Sequence, residues 1–273
     1  RFLYNILIPL LIPGALIRLW FRGRTEPAYR HHLAERFGHL PSNLGAGADI
    51  WLHAVSAGES IAAAPLIEAL LAQGHTLVLS TTTPTGRAQL MRQFSGRAVI
   101  CYGPFDVPRC VKRFLNQVRP KLALMIETEI WPNWMTLCAS RAIPVALINA
   151  RLSERSFRGY QKLGSMMGAT LRQFSWIAVQ SAAHANRFAA LGATPNQLSV
   201  TGSIKADQVL PEDFIEQVAM IQAKCAHRTL LLAASTHPGE EEMLLTSFRA
   251  LKVTHPDLLM VLAPRHVQRS IAL

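Results

Sequence analysis

The chain has 273 residues and half of them are apolar, which excludes general disorder because the chain can bury a sizeable core. Its 28 Lys and Arg residues outnumber its 17 Asp and Glu residues, giving a net charge of +11. This charge favours an anionic partner (a nucleic acid, an anionic lipid or a phosphate-bearing substrate) over a basic surface that is merely solvated. The four cysteines form no C-x-x-C pair, so we expect reduced thiols in a cytosolic compartment and no disulfide framework.

The chain opens with a long apolar segment. Residues 2–21 include only two strongly polar side chains, Asn5 and Arg18, and their length suffices for a membrane-spanning helix of roughly 20 residues. Arg22 and Arg24 follow directly, and this positive flank predicts that the rest of the chain lies on the cytoplasmic side. A helix lying in the membrane interface, a signal peptide and a helix buried in a soluble core are the alternatives.

From residue 49 onward, short apolar runs alternate with helical patterns. This alternation predicts an α/β fold in which crossover helices connect the strands of a parallel sheet. The predicted strands of a first domain, residues 23–207, are 50–55, 76–79, 98–101, 122–126, 145–148, 176–179 and 198–200.

A second, incomplete domain is expected over residues 208–273. A helix starting at Pro211 would precede strands over residues 229–233 and 257–262, with another helix between them. The chain starts without Met and ends without a helix stop or turn signal, so we expect both of its ends to be cut.

Polar motifs follow five of the predicted strands. In an open parallel sheet the loops at the carboxyl ends of the strands converge on one crevice. Five loops rich in Glu, Ser, Thr, Asn and Arg at this edge therefore indicate a binding or catalytic site. These loops are residues 53–59, 81–86, 102–106, 127–133 and 149–153.

Three glutamates in these loops are candidate catalytic carboxylates. Glu59 opens a helix, where it can take a proton from an attacking hydroxyl or simply cap the helix. Glu127 and Glu129 share one face if the strand is extended there, and they can then bind hydroxyls, hold a cation or orient a base. A salt bridge from this pair to Arg151 or Arg155 is the structural alternative.

Residues at and beyond the domain junction are candidates for binding an anionic donor. Lys205 can stabilise negative charge as a bond breaks, or it is an ordinary surface lysine. Ser235 and Thr236 precede a predicted helix, where backbone N–H groups can receive an anion or the side chains can serve as N-caps. Arg265 and His266 follow a predicted strand, and a guanidinium fork matches phosphate oxygens.

Other motifs are missing, which narrows the function. The sequence contains no P-loop, no G-x-S-x-G serine nucleophile and no cluster at metal-ligand spacing. Carboxylates in one domain and a phosphate-binding candidate in the other indicate group transfer from a nucleotide-activated donor in an interdomain cleft.

Seven motifs resemble, in the same order, those of the Kdo transferases of glycosyltransferase family 30, where Kdo is 3-deoxy-D-manno-octulosonic acid. They are HAVSAGE (53–59), TTTPTG (81–86), ETEIWPN (127–133), NARLSERS (149–156), TGSIKAD (201–207), STHPGEE (235–241) and PRH (264–266). The opening FLYN and the basic PAYRHHLAERFG (27–38) are similar to this family too, so the resemblance covers nearly the whole chain.

The resemblance implies a GT-B fold, in which two Rossmann-like domains face a cleft, with residues 1–22 as a hydrophobic anchor in the inner membrane of Gram-negative bacteria. The enzyme would lie on the cytoplasmic side. It would transfer Kdo from CMP-Kdo to lipid IVA, the tetraacylated lipid A precursor, with inversion and without a metal or other cofactor, in lipopolysaccharide core biosynthesis. Anionic inner-membrane lipids are further expected partners, and nucleic acid is not.

The resemblance also implies roles for individual residues. Glu59 would be the general base, Glu129 and Lys205 would stabilise the transition state, and Pro264 and Arg265 would contact CMP. The remaining CMP-binding segments are expected beyond the end of this chain, so the chain alone is expected to be inactive.

Three alternatives remain at this point: another membrane-associated GT-B enzyme that uses a UDP-sugar and a lipid acceptor, a basic membrane-tethered nucleic-acid-binding module, and a non-catalytic scaffold fragment. Inhibition by CMP but not by UDP would argue against the UDP-sugar enzyme, and a salt-dependent affinity for nucleic acid would indicate the nucleic-acid-binding module. We also expect the basic stretch 22–36 and the helix after Glu59 to border the acceptor entrance.

Overall fold

The chain divides into two compact units, Arg1–Gln208 and Val209–Leu273, which are described separately. A computed structural model describes residues 2–40, 47–207, 213–225, 228–265 and 269–270. The predicted helix start at Pro211 and the candidate residue His266 lie outside these residues.

The first unit is built on a parallel sheet in the order β3-β2-β1-β4-β5-β6-β7. Its strands are β1 Ile50–His53, β2 Leu77–Thr81, β3 Val99–Tyr102, β4 Leu122–Ile126, β5 Val145–Ala150, β6 Trp176–Val179 and β7 Leu198–Val200. The predicted α/β class with a parallel sheet is confirmed. The strand order reverses between β1 and β4, and this is the switch point where open α/β sheets bind ligands.

The helices of this unit begin at residues that suit a helix start. Ser56, Thr83 and Ser153 accept hydrogen bonds from backbone N–H groups in the first turn of three of these helices. The helices are α1 Phe2–Arg22, α2 Leu33–Arg36, α3 Ala57–Ala72, α4 Pro84–Phe94, α5 Pro108–Val118, α6 Pro132–Ala139, α7 Glu154–Gln161, α8 Ser165–Leu171 and α9 Ala182–Ala190.

Both faces of the sheet are covered, which explains why its strands have continuous apolar runs. On one face Trp51 packs against Phe114 and Trp134, each at 4.8 Å between ring centroids. On the other face Leu52 belongs to a second core with Ile67. Burying each such side chain stabilises the fold by about 1.5–3 kcal/mol, so the sheet holds its carboxyl-edge loops on a rigid support.

The backbone turns sharply where two strands reach the carboxyl edge. Glu127 and Asn149 have positive φ angles of 65° and 57°, in the left-handed region. The strand β4 therefore ends at Ile126, and the extended backbone that would place Glu127 and Glu129 on one strand face is wrong.

Only one side of helix α1 contacts the rest of the first unit. Tyr4 donates a hydrogen bond to Asp106 Oδ2 at 2.7 Å, and Arg30 Nη2 donates to the Trp20 carbonyl at 3.0 Å. Burial in a soluble core is wrong for this helix because none of its residues is buried, and Leu10 is 69% exposed. With 21 residues and a mean hydropathy of 1.8, it is long and apolar enough to cross a membrane. Spanning and interfacial positions both stay predictions.

The second unit contains α10 Phe214–Cys225, β8 Leu230–Thr236, α11 Glu240–Thr254 and β9 Leu259–Pro264, and β8 pairs with β9 in parallel. Ser235 and Thr236 precede a helix, α11, as predicted, but the alternative that they are its N-caps is wrong. Both belong to β8, and the N-cap of α11 is Gly239. The predicted strand 229–233 is too short because its apolar run continues through Ala234 into these two residues.

Candidate functional site

Three carboxylates meet at the switch point of the sheet. Glu59 comes from the first turn of α3, and Glu127 and Glu129 come from the loop after β4. Together they line a cavity of about 500 Å³. Its lining residues are Glu59, Glu127, Thr128, Glu129, Arg151, Ser153, Ser156, Gln180 and His184. The sequence-based expectation that these loops share one edge therefore holds for the loops after β1, β4 and β5.

Glu59 caps its helix and faces the cavity at the same time. Its Oε2 accepts a hydrogen bond from the Val55 backbone N–H at 2.7 Å, and its Oε1 accepts from the Ser56 hydroxyl at 3.1 Å. Ser56 Oγ in turn accepts from the Glu59 backbone N–H, so Ser56 is the N-cap of α3. Burial raises the pKa of the Glu59 carboxyl, while these two donors favour its ionised form.

Glu129 is the most strongly perturbed acid of the cavity. Burial, together with the neighbouring charges of Glu59 and Glu127, raises the pKa of Glu129 to about 7, and the bond from Trp131 opposes this rise. Trp131 Nε1 donates to Glu129 Oε2 at 2.6 Å. A carboxyl with such a pKa can hold or release a proton at neutral pH.

Glu127 forms the ion pair that was the structural alternative for this loop. Arg151 Nε donates to Glu127 Oε2 at 2.9 Å. The guanidinium is half exposed, at 56%, so it screens the negative cluster without enclosing it. The charge of Arg151 also opposes, to a small extent, the rise in the pKa of Glu59 that burial causes.

His53 is a buried neighbour of this cluster that sequence reasoning missed as a functional residue. Trp51 Nε1, which can only donate, bonds Ser80 Oγ at 2.7 Å, and Ser80 Oγ lies 2.7 Å from His53 Nδ1. If the Ser80 hydroxyl donates its proton to His53 Nδ1, the neutral His53 ring carries its own proton on Nε2. That nitrogen is buried without a hydrogen-bond partner among the described residues and lies 3.7 Å from Glu129 Oε2.

The protonation state of His53 follows from its burial. Burial and the charge of Arg36 lower its pKa to about 3, so the ring is neutral at physiological pH. A neutral ring with its N–H toward Glu129 favours the ionised carboxylate. The signal in the sequence was a polar residue closing an otherwise apolar strand, at the start of the HAVSAGE motif.

Lys205 lies apart from the carboxylate cavity. It belongs to a 3-10 turn, Ile204–Asp207, and its side chain is exposed and does not line the cavity. The turn itself is held at the carboxyl edge, because the Ile204 backbone N–H donates to Asn149 Oδ1 at 3.3 Å. Gln180 Nε2 donates to the same oxygen at 2.9 Å.

The candidates of the second unit gather at the carboxyl ends of its two strands. Thr236 of β8 pairs with Pro264 of β9, and the Arg265 backbone N–H donates to the Thr236 carbonyl at 3.0 Å. The Arg265 side chain is exposed. The Thr236 hydroxyl is not a cap but donates to Glu241 Oε1 at 2.9 Å, where it is buried. Among the described residues, no group of three His, Cys, Asp or Glu side chains could hold a metal ion.

Comparison with known proteins identifies the family. Residues 31–208 match the family model described as "3-Deoxy-D-manno-octulosonic-acid transferase (kdotransferase)". The chain belongs to the Kdo transferase family. It is 37% identical over 273 residues to a 3-deoxy-D-manno-octulosonic acid transferase of Haemophilus influenzae, covering 98% of this chain and 64% of the relative. It is 34% identical over 280 residues to that of Bordetella pertussis, covering 98% of this chain and 65% of the relative.

This member of the Kdo transferase family therefore spans 64–65% of the length of these curated relatives. Its fold is similar to a UDP-GlcNAc 2-epimerase of Neisseria meningitidis with a TM-score of 0.56 at 14% identity, covering 82% of this chain and 67% of that one. A glycosyltransferase of Rickettsia africae gives a TM-score of 0.51 at 12% identity, covering 83% of this chain and 64% of that one. The fold neighbours agree with the predicted GT-B class.

Proposed function

We propose that this chain is the part of a Kdo transferase that binds the lipid acceptor and activates its hydroxyl, in transfer of Kdo from CMP-Kdo to lipid IVA during lipopolysaccharide core biosynthesis. The observation that carries the proposal is the meeting of Glu59, Glu127 and Glu129 around one cavity at the switch point of the sheet. A carboxylate poised there suits a reaction that removes a proton from a sugar hydroxyl.

Glu59 is the general base of the proposed reaction. Its two hydrogen-bond donors favour the ionised form, in opposition to burial, and fix the carboxylate in place. It takes the proton of the acceptor hydroxyl while the hydroxyl oxygen forms a bond to the anomeric carbon of Kdo. The bond between that carbon and the CMP phosphate oxygen breaks, CMP leaves with the electron pair, and attack from the opposite face inverts the centre.

The remaining candidate residues stabilise or balance charge during the proposed transfer. We propose that Glu129, whose pKa is about 7, holds or releases a proton beside the general base and so adjusts the charge of the site. Lys205 stabilises negative charge that develops on the donor, and Pro264 and Arg265 contact CMP. Donor binding also needs segments beyond this chain, so the chain alone is expected to be inactive.

The membrane helix belongs to the same function. A lipid acceptor stays in its bilayer, so an enzyme held by α1 at the cytoplasmic face of the inner membrane searches a surface instead of a volume. The net charge of +11 adds attraction to anionic lipids in that leaflet.

Replacing Glu59 tests the proposal. In the full-length protein, Glu59→Gln should lower turnover on CMP-Kdo and lipid IVA by about 10²–10⁴-fold, because a general base contributes on that order. Glu68→Gln is the matched control, since Glu68 lies on the same helix in an exposed ion pair with Arg97. Near-normal turnover of Glu59→Gln would show that the base is another group.

The Neisseria fold neighbour is bound to UDP-GlcNAc, so a UDP-sugar donor is the second candidate. Product inhibition separates the two donors, since CMP but not UDP should compete in the full-length protein. Competition by UDP alone would replace CMP-Kdo in the scheme while leaving the role of Glu59 intact.

A further inference from the structure

A second cavity lies between helix α1 and the loops that follow β2 and β3. Its volume is about 360 Å³. Helix α1 gives it an apolar wall, to which Ile8, Ile12 and Ala15 contribute, and the opposite wall contains Arg36 and Trp131. This volume is within the range of small-molecule sites, about 300–1,000 Å³, and the mixture of apolar and cationic walls suits an amphiphilic anion.

Arg36 is a buried cation with no direct ion-pair partner among the described residues, although the charge of the neighbouring Glu35 favours its charged form. Its side chain packs over the ring of Tyr102 at 4.0 Å, Nη2 donates to the Thr82 carbonyl at 2.8 Å, and the residue is only 3% exposed. Nε is buried with no hydrogen-bond partner, and no carboxylate among the described residues forms an ion pair with Arg36. The adjacent Glu35 is already bonded to Arg87 at 2.7 Å.

Such an arrangement costs stability. Burial lowers the pKa of Arg36, which means that its charged form is less stable in the protein than in water. An anionic ligand in contact with Arg36 would offset this desolvation cost. The cavity that Arg36 lines is the place where an anion can reach it.

The charges around the cavity define the ligand. Arg18 lines the same cavity from α1. Asp106, also in the lining, accepts hydrogen bonds from the Tyr4 hydroxyl and from the backbone N–H groups of Asn133 and Trp134, so its carboxylate is held by donors of its own. Two guanidinium groups match the oxygens of a phosphate, and α1 matches an acyl chain.

We propose that this cavity binds a phosphate of the lipid acceptor, with Arg36 and Arg18 on the phosphate and the apolar side of α1 on the adjoining acyl chain. The proposal deepens the proposed function and rests on it. Trp131 links the two places, since it lines this cavity and donates its indole N–H to Glu129 in the carboxylate cavity.

A direct binding measurement tests the site without turnover. Dioctanoyl phosphatidic acid is the probe, dioctanoylglycerol is the same lipid without phosphate, and the protein is the full-length enzyme in detergent. Arg36→Met should weaken binding of the phosphatidic acid by about tenfold or more, through loss of charge-assisted hydrogen bonds, and should leave the diacylglycerol unaffected. Arg92→Met, which removes an exposed charge from α4, should bind as the wild type does.

Two further measurements distinguish loss of the binding site from loss of the fold. Because Arg36→Met removes an unpaired buried charge, its melting temperature should equal or exceed that of the wild type. If that variant does not fold, Ala15→Phe fills the apolar wall from the helix without touching Arg36, and it should weaken phosphatidic acid binding by a similar factor. Wild-type affinity in a folded Arg36→Met, or in Ala15→Phe, overturns the proposal.

Kinetics identify the source of the phosphate. In detergent micelles, Arg36→Met should raise the KM for the lipid acceptor about tenfold while kcat stays within about twofold, because the lost contact binds the substrate uniformly. Reduced binding to phosphatidylglycerol vesicles with an unchanged KM in micelles would mean a bulk-phospholipid site and would overturn the acceptor assignment. Failure of Glu59→Gln to lower turnover would not alter the binding result, so the two proposals fail separately.

Discussion

At the scale of single residues, the carboxyl edge combines two partly buried acids that differ in their hydrogen bonds. Glu59 receives two hydrogen bonds, whereas Glu129 receives one and faces two other carboxylates. Active sites commonly give neighbouring acids different pKa values through different environments, so that one acts as an acid and the other as a base. Here the acid with two hydrogen-bond donors lies in the first turn of a helix, and the acid with a pKa of about 7 lies beside an indole.

The raised pKa of Glu129 predicts how stability depends on pH. The folded state keeps a proton up to about pH 7 that the unfolded chain releases near pH 4.5, so the stability of the first unit falls as pH rises through this window. Glu129→Gln removes that loss and should be more stable than the wild type at pH 8 by roughly 3 kcal/mol, with no gain at pH 4.

Urea unfolding followed by tryptophan fluorescence measures this effect, because all five tryptophans lie in the first unit. Glu68→Gln serves as the control with the opposite sign, since Arg97 lowers the pKa of Glu68. Equal stability of Glu129→Gln and wild type at pH 8 would contradict a proton-holding Glu129.

His53 should set the protonation of Glu129 through its Nε2–H. His53→Leu removes this donor and should move the titration of Glu129 above its value of about 7. His53→Gln is the matched variant, because its amide oxygen can accept from Ser80 while its N–H₂ group faces the carboxylate. Carboxyl ¹³C shifts of labelled glutamate report the titration, and an unmoved Glu129 in His53→Leu would assign the ring to packing alone.

At the scale of elements, short polar loops on a rigid sheet build the site. The strands β1 and β4 are neighbours in the sheet although more than 60 residues separate them in the chain, so the loops after them meet. Helix α1 is a different kind of element. It touches the domain along one side and leaves large apolar side chains outside.

The outer side of α1 should carry the membrane contact. Leu10→Glu places a charge on the exposed side and should weaken binding to neutral phosphatidylcholine vesicles by about tenfold or more, since burying one leucine contributes about 1.5–3 kcal/mol. Leu163→Glu makes the same change at a 42% exposed leucine beyond α7 and should have little effect. Vesicle co-sedimentation measures both, and equal loss in the two variants would argue against α1 as the contact.

At the scale of the whole molecule, much of the structure of the first unit was predictable from the amino-acid sequence. Strands buried on both faces have unbroken apolar runs, and the polar loops after them are local signals, so strand positions and the shared edge were predictable. The end of β4 was not, because the left-handed backbone of Glu127 has no distinct sequence signal. The strand position of Ser235 and Thr236 was not predictable either, because small polar residues before a helix suit both an N-cap and a strand end.

The sequence by itself determined the fold class, the family and the set of carboxylates at the carboxyl edge, because apolar periodicity and ordered motifs are properties of neighbouring residues along the chain. Only the tertiary structure decided which groups are buried together. The series of side chains from Trp51 through Ser80 and His53 toward Glu129 joins two strands, β1 and β2, to the loop after β4, and the burial of Arg36 depends on contacts with Thr82 and Tyr102 far along the sequence. Desolvation and charge proximity, which set the pKa values, arise from such long-range packing.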